Sequence, residues 1–166
     1  MERFLTLLRH AKSSWADPQL ADFDRPLNER GKRDAPEMGR RLAARGLQPN
    51  LVLTSPAKRA RKTARKVARK LGLAKPRVVH EAALYLAEPG DLRAVLSRLD
   101  PSCRDVLVVG HNPGITDFAN ELTGADIDNV PTTGAVRIRL RGADWSQALA
   151  AGGALLWFDY PKRKKA

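Results

Sequence analysis

Short apolar runs recur along the chain, separated by longer stretches in which apolar residues return every three or four positions. The runs Phe4 to Leu8, Leu51 to Thr54, Arg77 to His80, Val106 to Val109 and Val136 to Leu140 predict strands, and Ala154 to Phe158 predicts a sixth. Helical spacing predicts helices over Ala35 to Ala44, Ala57 to Leu71, Asp91 to Leu99 and Ile115 to Leu122. Pro36 then falls in the first turn of its helix, where a missing N–H does no harm. Alternation of this kind points to an α/β domain with a mainly parallel sheet. Between the last two runs, Gly142 to Gly153 holds no convincing crossover helix, so an antiparallel edge is expected there. No internal repeat stands out.

The 166 residues, 43% of them hydrophobic, suit one domain, which at this size buries roughly 70% of the surface its unfolded chain would expose. The apolar run Phe4 to Leu8 meets Arg9 and His10 at once, too soon for a signal segment or a membrane span. A cytoplasmic protein, monomeric at this size, is the expectation. Cys103 is the single cysteine, which excludes an internal disulfide and a thiolate metal cluster.

Charge changes the picture by its placement. There are 30 basic and 18 acidic residues, but the segment Ala57 to Leu71 holds eight of the basic ones and Pro161 to Ala166 holds four. Without these two segments the chain is neutral. In the first segment, Ala60, Ala64, Val67, Ala68 and Leu71 take one helical face, leaving the cations on a solvated one. The alternative is attraction of an acidic protein, a nucleotide or another phosphorylated partner, which salt would weaken. Residues 1–160 are expected to form the domain and residues 161–166 a disordered basic tail.

Open α/β sheets bind ligands beyond the carboxyl ends of their strands. Three such ends carry chemistry: Arg9-His10-Ala11-Lys12-Ser13-Ser14, Thr54-Ser55-Pro56-Ala57-Lys58-Arg59 and Gly110-His111-Asn112-Pro113-Gly114. Phosphoryl transfer asks a protein mainly for positioning and compensation of negative charge, and the fixed fork of an arginine matches phosphate oxygens. Arg9 and Arg59 are placed to grip a phosphate from two sides. His10 has a neutral ring nitrogen able to attack phosphorus, provided the other nitrogen holds the proton; a carbonyl near Ser13 or Trp15 is one way to hold it. Each feature alone also has a plain structural reading, His111 as a buried, hydrogen-bonded histidine among them. His80, in the run VVH, reads as a packed or edge residue. Three histidines and no convincing ligand spacing point to no metal site and no cofactor.

Taken together, RHAKSSW, DFDRPLNERGKRDA (Asp22 to Ala35), TSPAKRARKTA (Thr54 to Ala64) and GHNPGITDFANEL (Gly110 to Leu122) resemble the histidine phosphatase superfamily, and within it the short SixA-type phosphohistidine phosphatases. The resemblance runs over residues 3–158. It implies a single-domain three-layer sandwich of phosphoglycerate-mutase-like fold, whose mostly parallel central sheet has one antiparallel strand. It implies His10 as nucleophile, Arg9 and Arg59 as phosphate ligands and His111 as stabiliser of the transferring group. Ser55 and Asn112 join them as phosphate-binding candidates, each with an equally good turn or capping role. Asp24 and Arg25 are expected to organise their loop.

The chain departs from the wider superfamily in having Ala11, where glycine commonly follows the histidine. Glu81 best matches the region of the proton donor, with Glu88 and Asp91 as other candidates, but AALYLAEPGD follows it in place of the usual glycine-rich stretch. Imidazole leaving phosphohistidine is a weaker base than an alkoxide and depends less on such an acid. The short chain also leaves little material to roof a pocket. Both features favour a phosphorylated protein as substrate. A small phosphate ester such as a sugar phosphate or nucleotide is the enzymatic alternative, a mutase fits less well, and a non-catalytic basic binding module is the alternative of another class. Scarce aromatics, 5% of the chain, argue against a single-stranded nucleic-acid platform.

Overall fold

The computed structural model describes residues 1–162. Six strands, β1 (Glu2–Arg9), β2 (Leu51–Thr54), β3 (Val78–His80), β4 (Asp105–Gly110), β5 (Ala135–Arg141) and β6 (Gly153–Asp159), form one sheet in the order β3-β2-β4-β1-β5-β6. β5 alone runs antiparallel to its neighbours. The carboxyl ends of β1, β2, β3 and β4 therefore lie along one edge, together with the start of β5.

Five helices cover the sheet: α1 (Glu29–Ala44), α2 (Lys58–Lys70), α3 (Pro89–Ser97), α4 (Gly114–Thr123) and α5 (Trp145–Ala151). The strict alternation of side chains along a strand divides the core in two. Val106 and Val108 of β4 join Leu5 and Leu7 of β1 in packing against Leu92, Leu96, Phe118 and Trp145 of α3, α4 and α5. Leu107 and Val109 point the other way with Leu8, meeting Met38 and Leu42 of α1 and Ala60, Ala64 and Val67 of α2. The result is the expected three-layer sandwich. Among the described residues, no helix is long and apolar enough to cross a membrane.

Two helices differ from the pattern read in the sequence. α1 begins six residues before Ala35, because the side chain of Asn28 accepts a hydrogen bond from Gly31 N–H at 2.8 Å and caps the helix. Pro36 therefore lies inside α1 and not in its first turn. α5 occupies the stretch expected to lack a helix; Asp144 caps it by accepting from Gln147 N–H at 2.8 Å, and Gly152, at φ 73°, ends it. Seven residues are too few for a periodic signal. The antiparallel pairing of β5 with β6 is present all the same. Of the expected tail, Pro161 and Lys162 form a turn, and residues 163–166 lie outside the described residues.

Candidate active site

The three polar strand ends converge through their backbones. His10 N–H donates to Gly110 O (3.1 Å) and Ser55 N–H to Val109 O (3.0 Å), while Thr133 N–H donates to Arg9 O (3.0 Å) and His10 O (3.1 Å). Ala11 N–H donates to Thr63 Oγ1 at 2.9 Å, and Thr63 in turn donates to Arg59 O at 2.7 Å, so α2 is tied directly to the loop that follows β1. That loop is also held from outside. Asn28 N–H donates to Lys12 O at 3.0 Å, and a Cβ on Gly31 would stand 2.1 Å from the same oxygen, so only glycine lets α1 approach so closely.

His10 is buried and its Nδ1 lies 2.8 Å from Ala11 O. A carbonyl can only accept, so the proton is on Nδ1 and the Nε2 lone pair is left for a nucleophilic role. The carbonyl comes from the adjacent residue and not from Ser13 or Trp15. Burial drives the His10 pKa down to about 3 against the opposing pull of the Ala11 carbonyl, with His111, Arg59 and Arg9 adding to the fall. The imidazole therefore stays neutral well below pH 6.

His111 stands beside it, with ring centroids 5.2 Å apart. Its Nδ1 receives Arg59 Nη2 at 3.4 Å, and its Nε2 donates to Ser55 Oγ at 2.7 Å. Burial, reinforced by Arg59 and opposed by Asp22, lowers its pKa to about 4. Two neutral histidines thus face two permanent cations, a surrounding that calls for an anion. Arg9 donates through Nη1 to Val130 O at 3.1 Å, whereas its buried Nε has no partner among the described residues. An orphaned buried donor of this kind costs roughly 1–3 kcal/mol unless a ligand satisfies it.

The remaining candidates are spread around this centre. Ser55 Oγ is taken by His111 and by Ala57 N–H at 3.2 Å, so it orients the histidine. Asn112 is fully engaged: its amide donates to Asn129 Oδ1 (3.0 Å) and Val130 O (2.8 Å), and its oxygen accepts from Thr116 N–H (3.2 Å) and Oγ1 (2.9 Å). These bonds tie α4 to the segment before β5 and leave the side chain nothing for a phosphate. Glu81 follows β3, its N–H bonded to Thr54 O at 2.9 Å, and its half-buried carboxylate has no ion pair among the described residues. Glu88 and Asp91 cap α3 reciprocally, so neither is spare.

Two site residues were not legible in the sequence. Asp22 accepts from Arg59 Nη2 at 3.0 Å and from Tyr85 Oη at 2.6 Å, and its backbone oxygen accepts from Arg59 Nη1 at 2.7 Å. Desolvation alone would raise the Asp22 carboxyl, but the bonds from Tyr85 and Arg59 prevail and hold it down at about 2. Tyr85 also sets its ring edge-on to His111, 5.5 Å between centroids. Arg25 holds the same loop, donating to Ser13 Oγ (2.5 Å), Ser14 O (3.1 Å) and Asp22 Oδ1 (3.2 Å) while lying over the ring of Trp15.

Two neutral imidazoles with fixed tautomers, bracketed by Arg9 and Arg59, are the outfit of phosphoryl transfer to histidine. A family model described as the histidine phosphatase superfamily (branch 1) matches residues 5–85. A chloroplastic protein of Arabidopsis thaliana is 33% identical over 95% of this chain and 75% of its own.

The chain belongs to the histidine phosphatase superfamily.

Among solved structures, the SixA protein of Agrobacterium tumefaciens superposes with a TM-score of 0.81 at 29% identity, over 96% of this chain and 98% of that one. A protein histidine phosphatase SixA complexed with tungstate superposes at 0.80 with 22% identity, over 95% and 96% of the two chains, and shows the same fold. The superfamily fold places all four of His10, Arg9, Arg59 and His111 at one sheet edge here, and supports phosphatase chemistry for this chain.

Proposed function

We propose that this protein hydrolyses phosphohistidine on a protein substrate through a covalent phosphohistidine on its own His10. The observation that carries the reading is the Nδ1–H bond from His10 to Ala11 O, which leaves Nε2 as the one ring nitrogen able to attack. In the first step Nε2 forms a bond to phosphorus as the bond to the substrate imidazole breaks. Arg9 and Arg59 hold the equatorial oxygens once Arg59 turns from His111 Nδ1 to phosphate, and Nδ1, its basicity raised by the bound phosphate, takes a proton from solvent and donates it to the transferring group. The departing imidazole takes a proton from water or from Glu81. Water then attacks phosphorus, the Nε2–P bond breaks, and inorganic phosphate leaves with His10 restored. Ser55 and Asn112 act by positioning, and charge compensation by guanidinium groups asks for no metal.

The similarity to the Agrobacterium protein, a candidate phosphohistidine phosphatase, supports the same substrate class. We place the activity in the cytoplasm and in a monomer. The test is phosphate release from a phosphohistidine protein and from p-nitrophenyl phosphate with EDTA present. Release from the protein is expected to survive Glu81→Gln with less than roughly a 3-fold loss, because imidazole leaves without much help. Fast turnover of small esters with strong dependence on Glu81 would instead assign a small-ester phosphatase, and loss of release with EDTA would overturn the metal-free mechanism.

A further inference from the structure

A cavity of about 240 Å³ lies away from His10, between α2 and the edge strand β3, lined by Arg61, Arg65, Ala68, Arg69, Leu73, Lys75, Val78 and His80. Its floor is apolar: Ala68 is buried, and Leu73 and Val78 are half-buried where they join the core under α1 and α2. Its rim is cationic. Arg61, Arg65 and Arg69 succeed one another at intervals of four residues, a stripe down one face of α2 with a step of about 6 Å. None of these three arginines, nor Lys75, has an ion pair among the described residues. The sequence offers them no acid nearby in the chain, since no Asp or Glu occurs between Glu37 and Glu81. The resulting repulsion is felt locally: the charge of Arg65, followed by slight burial and then by Arg61, Lys58 and Lys66, lowers the pKa of Lys62.

We infer that this groove docks an acidic amphipathic helix of a partner protein. The pitch supports a helix. Carboxylates at every fourth position of a helix are spaced by the same step of about 6 Å as Arg61, Arg65 and Arg69, so three ion pairs form in register. The floor supports an amphipathic one, because apolar residues beside the acidic stripe have Ala68, Leu73 and Val78 to cover. Nucleic acid is disfavoured by the lining itself, which has no Phe, Tyr or Trp on which a base can stack. α2 carries Arg59 at its amino end and this stripe along its exposed face, so a docked partner lies beside the catalytic edge. The inference holds whatever group is hydrolysed at His10.

The test uses the full chain and a labelled synthetic peptide with Glu at i, i+4 and i+8 and Leu at i+3 and i+7, compared with a scrambled peptide of equal composition. Fluorescence anisotropy at low and high salt gives the affinities. The ordered peptide is expected to bind at least about 10-fold tighter than the scramble, and Arg65→Glu with Arg69→Glu to weaken it by about 10-fold or more. Leu73→Asn is expected to weaken it by a further few-fold, leaving the arginines in place. Turnover of p-nitrophenyl phosphate is expected to be the same in all variants, which certifies their folding. Equal affinity for the scramble, indifference to the arginine reversals, or tighter binding of a thymidine oligonucleotide at the same residues would each overturn the inference.

Discussion

Arg59 and Arg61 are two residues apart on α2, yet they live in different media. Arg59 is 3% exposed, donates twice to Asp22 and once to a histidine ring, and shares the site with a second, half-buried cation, Arg9. Arg61 faces the opposite way, on a cationic stripe without ion pairs among the described residues. The lesson is that the charge total of this chain says little about chemistry. A buried guanidinium held by fixed partners suits catalysis, since it meets the phosphate with little reorganisation. A solvated one contributes steering and docking, and salt screens it.

Substitution separates the two roles most sharply. Arg59→Ala is expected to lower kcat/KM by roughly 100- to 1000-fold, as removal of a preorganised donor to a transition state does, while Arg61→Ala on p-nitrophenyl phosphate stays within about 2-fold. Steady-state kinetics of both variants at one ionic strength checks the contrast. A smaller loss follows from freeing Arg59: Asp22→Ala leaves the guanidinium unanchored and is expected to cost about 10-fold in kcat/KM. The inhibition constant of inorganic phosphate, rising in parallel, distinguishes loss of this anchoring from a change in leaving-group chemistry.

The smallest effect is one of acidity. His10 and His111 have pKa values of about 3 and about 4 in the folded chain, below the ordinary value of about 6.5 in an unfolded one. Between these limits the unfolded chain binds protons that the folded chain refuses, so stability is full above about pH 6.5 and is lost as pH falls toward about 3. Thermal melts from pH 7 to 4 are expected to fall less steeply for His10→Ala than for the wild type. NMR titration of the ring protons checks the same point directly: neither imidazole is expected to titrate near pH 6.5.

How much of this was legible in the sequence depended on the range of each interaction. Strand ends followed by His10, Ser55 and His111 could be read locally, and the sheet gathers them because parallel strands share an edge. The departures arose where one side chain decides the outcome. Asn28 starts α1 six residues ahead of its apolar periodicity, and Asp144 starts a helix that no periodicity announces. Asp22, though it opens the DFDRPL motif, and Tyr85 carried no signal of their roles, because these lie in meeting Arg59 and each other across long spans of chain. Asn112, beside His111, has in the sequence alone an equal claim to phosphate, but Asn129, Val130 and Thr116 occupy it. Of the three tryptophans, Trp145 is fully buried and anchors α5 on the sheet, whereas Trp15 is 74% exposed beneath Arg25.

In the proposed reaction His10 Nε2 carries the phosphoryl group in transit. Rapid quenching of the wild type with a radiolabelled phosphohistidine protein into alkali, where phosphohistidine survives, followed by peptide mass spectrometry, tests it most directly. One labelled peptide, phosphorylated on His10, is expected, and none from His10→Ala. Turnover without label on His10, or label that persists in His10→Ala, would contradict it.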